Sequence, residues 1–465
     1  MNRRANRAWL PKAYLTLLIA AATPSILLAQ EPLWGGALVS KIDSLAATTL
    51  SQGPVAALSI GVKRGDQLLL AKGYGEADVE NAVPATAETV YRIGSITKQF
   101  TAAAIMQLIE AGKIGLEDSI TDHLMDYPTQ GHKVTIRHLL THTSGIKSYT
   151  ELESWRPKMT LHLTDEELLA VFKDEPFDFA PGERFLYNNS AFYMLGMVIG
   201  EAGGTTYREY LDAHLFGPLG LAGSSYCDER PIIPGRAEGY EVVEGQLMND
   251  AYLSMNQPGA GGALCSTVLD LLSWGSALRG GRVVSTASYG QMTTSATLSD
   301  GSSTGYGFGL GLGSLEGNPH VSHGGSINGF NTMLAYYPES DLDVVVLSNT
   351  TGAHPDRIAE TIGKWVHGIE VPIVLDERLT VAQLGAYVGV YELGPGFELT
   401  VSVREEQLFA GATGLDESRL RAQGNHVFVP TFDDAVRVVF AVDGDGAASL
   451  VLHQEGQELQ GIRVR

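Results

Sequence analysis

Cysteine is almost absent from this chain of 465 residues: there are two, Cys227 and Cys265. That excludes a disulfide-dense scaffold and a four-cysteine zinc site. Basic residues are also scarce, 32 against 53 acidic, for a formal net charge of −21. A balance that negative argues against nucleic acid as a main partner, because phosphates are repelled rather than neutralised. It argues equally against anionic lipid. Long apolar runs are missing too. The longest near the start, Ala13–Ala22, is followed by Pro24 and falls well short of the roughly 20 residues a spanning helix needs. Charge is not so abundant as to suggest disorder: 18% of residues are charged and 44% hydrophobic, an ordinary globular mixture.

The first residues do carry a pattern. Arg3, Arg4, Arg7 and Lys12 precede the apolar run, and Ile26–Ala29 precedes Gln30, Glu31 and Pro32. Basic, then apolar, then a small residue is the layout of a secretory signal. Residues 1–29 are therefore expected to be a signal peptide cut after Ala29, with the mature protein periplasmic or secreted and without a stable membrane anchor. No cysteine sits near the cut, so a lipoprotein is not expected. In such a compartment Cys227 and Cys265 are either bonded to each other or a free buried pair.

The length suggests two domains. Val55–Lys63 and Gln67–Tyr74 read as strands joined by a turn at Arg64–Gly65–Asp66. Pro32–Leu50 and Ser95–Ala111 read as helices, the second with Phe100, Ala104 and Leu108 on one face. Strand-like segments return at Tyr306–Gly313, His320–Gly324, Gly329–Pro338 and Leu342–Asn349, and Pro355–His367 closes as a helix. Strands from both ends of residues 30–370 around a helical middle predict an α+β domain with one antiparallel sheet. Beyond Val371 the pattern becomes short alternating strands, such as Phe397, Leu399, Val401 and Val403. Residues 371–465 are thus expected to form a small all-β barrel or sandwich.

Three segments could carry chemistry. In Gly94–Ser95–Ile96–Thr97–Lys98, a serine at the first turn of a helix has its hydroxyl near the positive helix end and a free backbone N–H. A lysine three residues on shares its face and, if buried, tends to lose its proton and accept the serine's. In Tyr187–Asn188–Asn189, a phenol that can relay a proton and a carboxamide that can orient a substrate enter a helical pattern together. In His323–Gly324–Gly325–Ser326, glycines after a strand allow close approach of a substrate, an N–H can complete an oxyanion hole, and the imidazole can bind a carboxylate. Ser144–Gly145–Ile146–Lys147 repeats the Ser-x-x-Lys spacing without an apolar helix behind it. Gly301–Ser302–Ser303–Thr304–Gly305 fits a nucleophile-elbow pattern but lacks the strand before and helix after. His138 and His142 sit four apart, yet Leu139 stands where a zinc protease carries glutamate, so they read as structural.

Taken together, Ser95–Lys98, Tyr187–Asn189 and His323–Gly325 resemble the three motifs of the serine β-lactamase and penicillin-binding-protein superfamily, nearest its class C β-lactamase and D-peptidase branch. Ile136–Gly145 and Gly261–Leu271 are similar to that family's framework segments, and residues 371–465 resemble the lipocalin-like barrel of some D-peptidase relatives. The resemblance implies a β-lactamase/transpeptidase-like fold. It also implies an acyl-enzyme mechanism with Ser95 as nucleophile, Lys98 and Tyr187 sharing its proton, and the N–H groups of Ser95 and Ser326 holding the oxyanion. Asn189, His323, Gly325 and Ser326 would bind substrate, and the resemblance implies that no metal or cofactor is needed. Histidine replaces the lysine usual in class C β-lactamases, which implies a hydrolase of D-amino-acid peptides, possible cell-wall fragments among them, of D-aminopeptidase or D-Ala-D-Ala carboxypeptidase type. The alternatives are an esterase or weak β-lactamase, or a non-catalytic receptor for cell-wall peptides.

Overall fold

The computed structural model describes residues 34–373, 376, 379–433, 436–443, 446–454 and 457–465. The proposed signal segment lies outside the described residues. Among the described residues no helix is long and apolar enough to cross a membrane. The described chain forms two compact units that part between Ile369 and Glu370.

The first unit is built on a seven-stranded antiparallel sheet. Its strands are β1 (Ala57–Arg64), β2 (Gln67–Asp78), β3 (Val83–Pro84), β4 (Gly311–Leu315), β5 (Asn318–Ile327), β6 (Phe330–Tyr337) and β7 (Leu342–Ser348), in the order β3-β2-β1-β7-β6-β5-β4. The two ends of the domain meet where β1 pairs with β7, Ile60 opposite Val346. Residues 57–62 and all of β7 are buried without alternation, as strands covered on both faces must be. Helix α1 (Gly35–Gln52) lies on β2, and α5 (Pro355–Val366) lies on β6 and β7. Helix α4 (Val268–Arg279) covers β1 and β7. Between them, α2 (Thr97–Glu110) and α3 (Asn189–Gly203) enter the core, with Phe100 of α2 stacked on Trp274 of α4 at 3.9 Å between ring centroids.

One charged pair sits inside this layer. Asp343 of β7 is buried and accepts two bonds from the Arg279 guanidinium, at 2.7 and 2.6 Å. Burial pushes its carboxyl up, and Arg279 offsets part of that. Arg279→Leu would strand the carboxylate, so it is expected to cost about 3–5 kcal/mol, read as a fall in the urea midpoint. A cost below about 1 kcal/mol would contradict this account of the pair.

The sequence reading differs from the structure at two places that matter for the site. Tyr306–Leu310 is loop, and the strand begins at Gly311. The strand carrying His323 does not stop at Gly324 but runs through both glycines to Ile327. Cys227 and Cys265 form a disulfide.

The second unit, from Glu370, is a closed barrel of eight antiparallel strands, from Gly389–Gly394 to Gln457–Arg463. Each strand pairs with the next, and Tyr391 opposite Arg463 closes the ring. Phe397, Leu399 and Val401 point inward with Val438, Phe440 and Leu452, which is what period-two alternation produces when one face of a strand is buried.

Candidate active site

Ser95 stands on a single 3₁₀ turn, Gly94–Ile96, that leads directly into α2. Lys98 follows one turn later, fully buried. Its Nζ lies 3.1 Å from Ser95 Oγ, 2.9 Å from Asn189 Oδ1 and 2.7 Å from the Gly261 carbonyl oxygen. Burial holds the ammonium pKa well below its usual value. The partner set fits the neutral amine. Asn189 Oδ1 and the Gly261 carbonyl can only accept, so a neutral amine here spends both N–H bonds on them and keeps its lone pair for the Ser95 hydroxyl. The Asn189 amide is held in this sense because its Nδ2 donates to Thr150 Oγ1 at 3.1 Å.

Tyr187 precedes α3, and its ring lies 4.7 Å below Lys98 Nζ. The phenol oxygen is buried with no hydrogen-bond partner. Burial raises its pKa, and the nearby Ser95 hydroxyl pulls the other way. Asn188 caps α3 by accepting from the Ala191 N–H at 2.8 Å, which places Asn189 on the first turn.

The third segment reaches the first through a glycine. A Cβ on Gly325 would stand 2.0 Å from the Ile93 carbonyl oxygen and 2.3 Å from Thr332 Oγ1, so β5 can lie this close to residues 93–95 only with no side chain there. A Cβ on Gly94, whose φ is +51°, would be 3.0 Å from the Ser326 nitrogen. Ser326 is exposed, and its backbone nitrogen lies beside Gly94, the residue before Ser95.

His323 departs from the expectation of a ring nitrogen open to substrate. It is buried, its Nδ1 donates to the Gly324 carbonyl at 2.6 Å, and its Nε2 accepts from the Tyr306 hydroxyl at 2.8 Å. Both nitrogens are bonded within the protein, where the sequence reading has the ring facing a substrate carboxylate. Burial first, and the charge of Lys98 second, push its pKa down to about 4. Folding therefore favours the neutral ring. The stability this supplies is complete above pH 6.5 and is lost as pH falls from 6.5 to about 4, on the order of 3 kcal/mol. His323→Gln should flatten the stability profile over that window; identical profiles for variant and wild type would refute the assignment.

The other candidates fall away on geometry. Lys147 pairs with Asp178, and the buried Ser144 accepts from the Ile146 N–H at 3.3 Å. Ser303 lies in a surface loop, bonded to Ser295 at 2.6 Å. His138 caps its short helix, and His142 lies beyond that helix with φ +57°. Among the described residues no three His, Cys, Asp or Glu side chains gather where a metal ion could sit. Three neighbours escaped the sequence reading: Tyr306, Thr150 and the ring of His142. Each acts through a partner at least 17 residues away, so no local spacing announces it.

Residues 42–367 match the family model described as Beta-lactamase, and residues 378–463 match one described as a domain of unknown function. A penicillin-binding protein of Bacillus subtilis (strain 168) is 26% identical over 430 residues, 86% of this chain and 93% of its own. The octameric penicillin-binding protein homologue from Pyrococcus abyssi superposes with a TM-score of 0.66 at 28% identity, covering 91% of this chain and 99% of that one. A D-stereospecific amidohydrolase from a Streptomyces species gives 0.60 at 25% identity, covering 70% and 97%. With the family model spanning most of the chain and its fold present, the protein belongs to the Beta-lactamase family as a serine hydrolase of the β-lactamase and penicillin-binding-protein type.

Proposed function

We propose that this protein works outside the cytoplasm as a serine hydrolase of D-amino-acid amides and peptides with a free amino end, through an acyl-enzyme. The observation that carries the reading is the Lys98 nitrogen, fully buried and within bonding distance of Ser95 Oγ, Asn189 Oδ1 and the Gly261 carbonyl oxygen. Lys98 takes the proton as Ser95 attacks the carbonyl carbon, and the Ser95 and Ser326 N–H groups receive the developing oxyanion. Tyr187 is close enough to Ser95 to pass the proton to the departing amine. Water then adds to the ester and releases the acid. Asn189 keeps one Nδ2 proton for the substrate amide.

Similarity to a D-stereospecific amidohydrolase supports the substrate class. The neutral, internally bonded His323 supports the narrower choice within it. The third segment brings no permanent cation for a carboxylate beside the scissile bond, so amides are favoured over C-terminal D-Ala-D-Ala and over cephalosporins. The same feature keeps simple esters as the second reading. A panel of D- and L-amino-acid amides, D-Ala-D-Ala peptides, nitrocefin and nitrophenyl esters, run beside Ser95→Ala, tests this. The expected result is Ser95-dependent turnover with a kcat/KM for a D-amide at least about tenfold above its L form and above nitrocefin. Turnover of esters alone would move the assignment to an esterase, and binding of D-peptides without turnover would replace the enzyme by a receptor.

A further inference from the structure

We infer that His142 is a positioning residue that aims the Tyr187 phenol, a proposal that rests on the role given to Tyr187 above. The phenol oxygen has no hydrogen-bond partner to fix it. Its direction must then come from the backbone on either side and from packing on its ring. His142 contributes to both, its ring packing on Tyr187 beside Lys98 Nζ, which lies 4.7 Å from the same ring. The His142 carbonyl oxygen accepts from the Leu186 N–H at 3.0 Å. Its Nδ1 accepts from the Asn188 N–H, also at 3.0 Å. The two residues flanking Tyr187 are thus held by one residue, whose ring lies 4.3 Å from the Tyr187 ring.

The neighbouring chain makes the grip rigid. The Thr143 carbonyl accepts from the Gly182 N–H and the Gly145 carbonyl from the Asp178 N–H, each at 2.8 Å, so residues 142–145 form a rail along the approach to Tyr187. Asn188 itself donates to the Ile146 carbonyl and caps α3. Behind the His142 ring lie Phe192 at 5.0 Å and Tyr306 at 4.8 Å.

The chemistry of the ring points the same way. A backbone N–H only donates, so Nδ1 is unprotonated and the neutral ring carries its proton on Nε2. That Nε2 is buried without a partner, a costly state for a polar group. An apolar side chain of similar size would avoid the cost and lose only the acceptor for Asn188. The left-handed backbone, φ +57°, is one that histidine and asparagine tolerate better than most residues.

Asparagine places Oδ1 where histidine places Nδ1 and suits the same backbone; phenylalanine keeps the ring and deletes the acceptor. With p-nitrophenyl acetate as substrate, His142→Phe is expected to lower kcat about 30-fold or more with KM within about threefold, since misplacement of a reacting group by about 1 Å costs on the order of 100-fold. His142→Asn should stay within about fivefold of wild type. On a Tyr187→Phe background, His142→Phe should add less than about a twofold loss, because its effect travels through the phenol. Equal losses in the two single variants, or losses that multiply on that background, would overturn the proposal. If His142→Phe does not fold, nitrogen NMR of the wild-type imidazoles decides: a His142 protonated on Nε2 and bare on Nδ1 between pH 6 and 8 upholds the grip, and a proton on Nδ1 overturns it. A wild type that turns over neither D-amino-acid amides nor esters would defeat the proposed function and leave this tautomer test standing.

Discussion

Lys98→Met is expected to reduce kcat/KM for an activated ester by about 10²–10⁴-fold, the usual range for loss of a general base. Methionine has nearly the length of lysine and suits a site with no solvent exposure, so the change removes the base with little change in volume. The pH dependence gives the sign. The working form is the neutral amine, so wild-type kcat/KM rises with pH as Lys98 loses its proton and then levels. Burial moves that rise well below the ordinary lysine range. His323, at about 4, is already neutral there and adds no inflection near 6.5. Burial also raises the Tyr187 phenol, which keeps a falling limb away from neutral pH. In Lys98→Met the rising limb should vanish with the rate. A variant retaining more than about a tenth of the activity, or a limb that survives without the lysine, would remove Lys98 from its role.

The second large effect comes from one methyl group. Gly325→Ala would put a Cβ 2.0 Å from the Ile93 carbonyl oxygen and 2.3 Å from the Thr332 hydroxyl that donates to it at 2.9 Å. Neither backbone can accept that contact, so β5 must retreat from residues 93–95 by about 1 Å, and a displacement of that size costs on the order of 100-fold in rate. The loss should appear in kcat, because what separates is the pair of N–H groups proposed to meet the oxyanion in the transition state. Gly324→Ala is the contrast: its Cβ meets nothing nearer than 3.6 Å, and its activity should stay within about tenfold. Similar activities for the two alanine variants, measured on one ester, would show that the close approach of β5 does not set the oxyanion site.

Much of this site was legible because its parts obey local rules. Ser95 and Lys98 are one helical turn apart, and the apolar face at Phe100, Ala104 and Leu108 marked the helix that carries them. What local rules did not show is that Ser95 precedes the α-helix on a tighter turn started by a left-handed Gly94. Tyr187 and Asn189 were visible as a pair, but not the Asn189 bond to Lys98, made across 91 residues. His323 is visible in its motif, but not the bonds that hold its ring. Its partner Tyr306 sits in a segment whose aromatic and glycine content reads as strand but which forms loop, so the bond that closes Nε2 had no sequence signature. His142 is weighed in the sequence only as a partner of His138 and reads as structural, because Leu139 stands where a zinc protease carries glutamate; its bonds to the residues flanking Tyr187 cross more than 40 positions and have no local signature. In the second unit the alternation of Phe397, Leu399 and Val401 announced strands with one buried face, whereas closure into a barrel depends on pairing the first strand with the last, a contact across some 70 residues that no periodicity encodes.

The central claim is that Ser95 is the nucleophile, and mapping a fluorophosphonate adduct tests it most directly. The account predicts one adduct per chain, on the peptide containing Ser95, absent from Ser95→Ala and formed more slowly in Lys98→Met. An adduct on Ser144 or Ser303, or labelling that persists in Ser95→Ala, would contradict it.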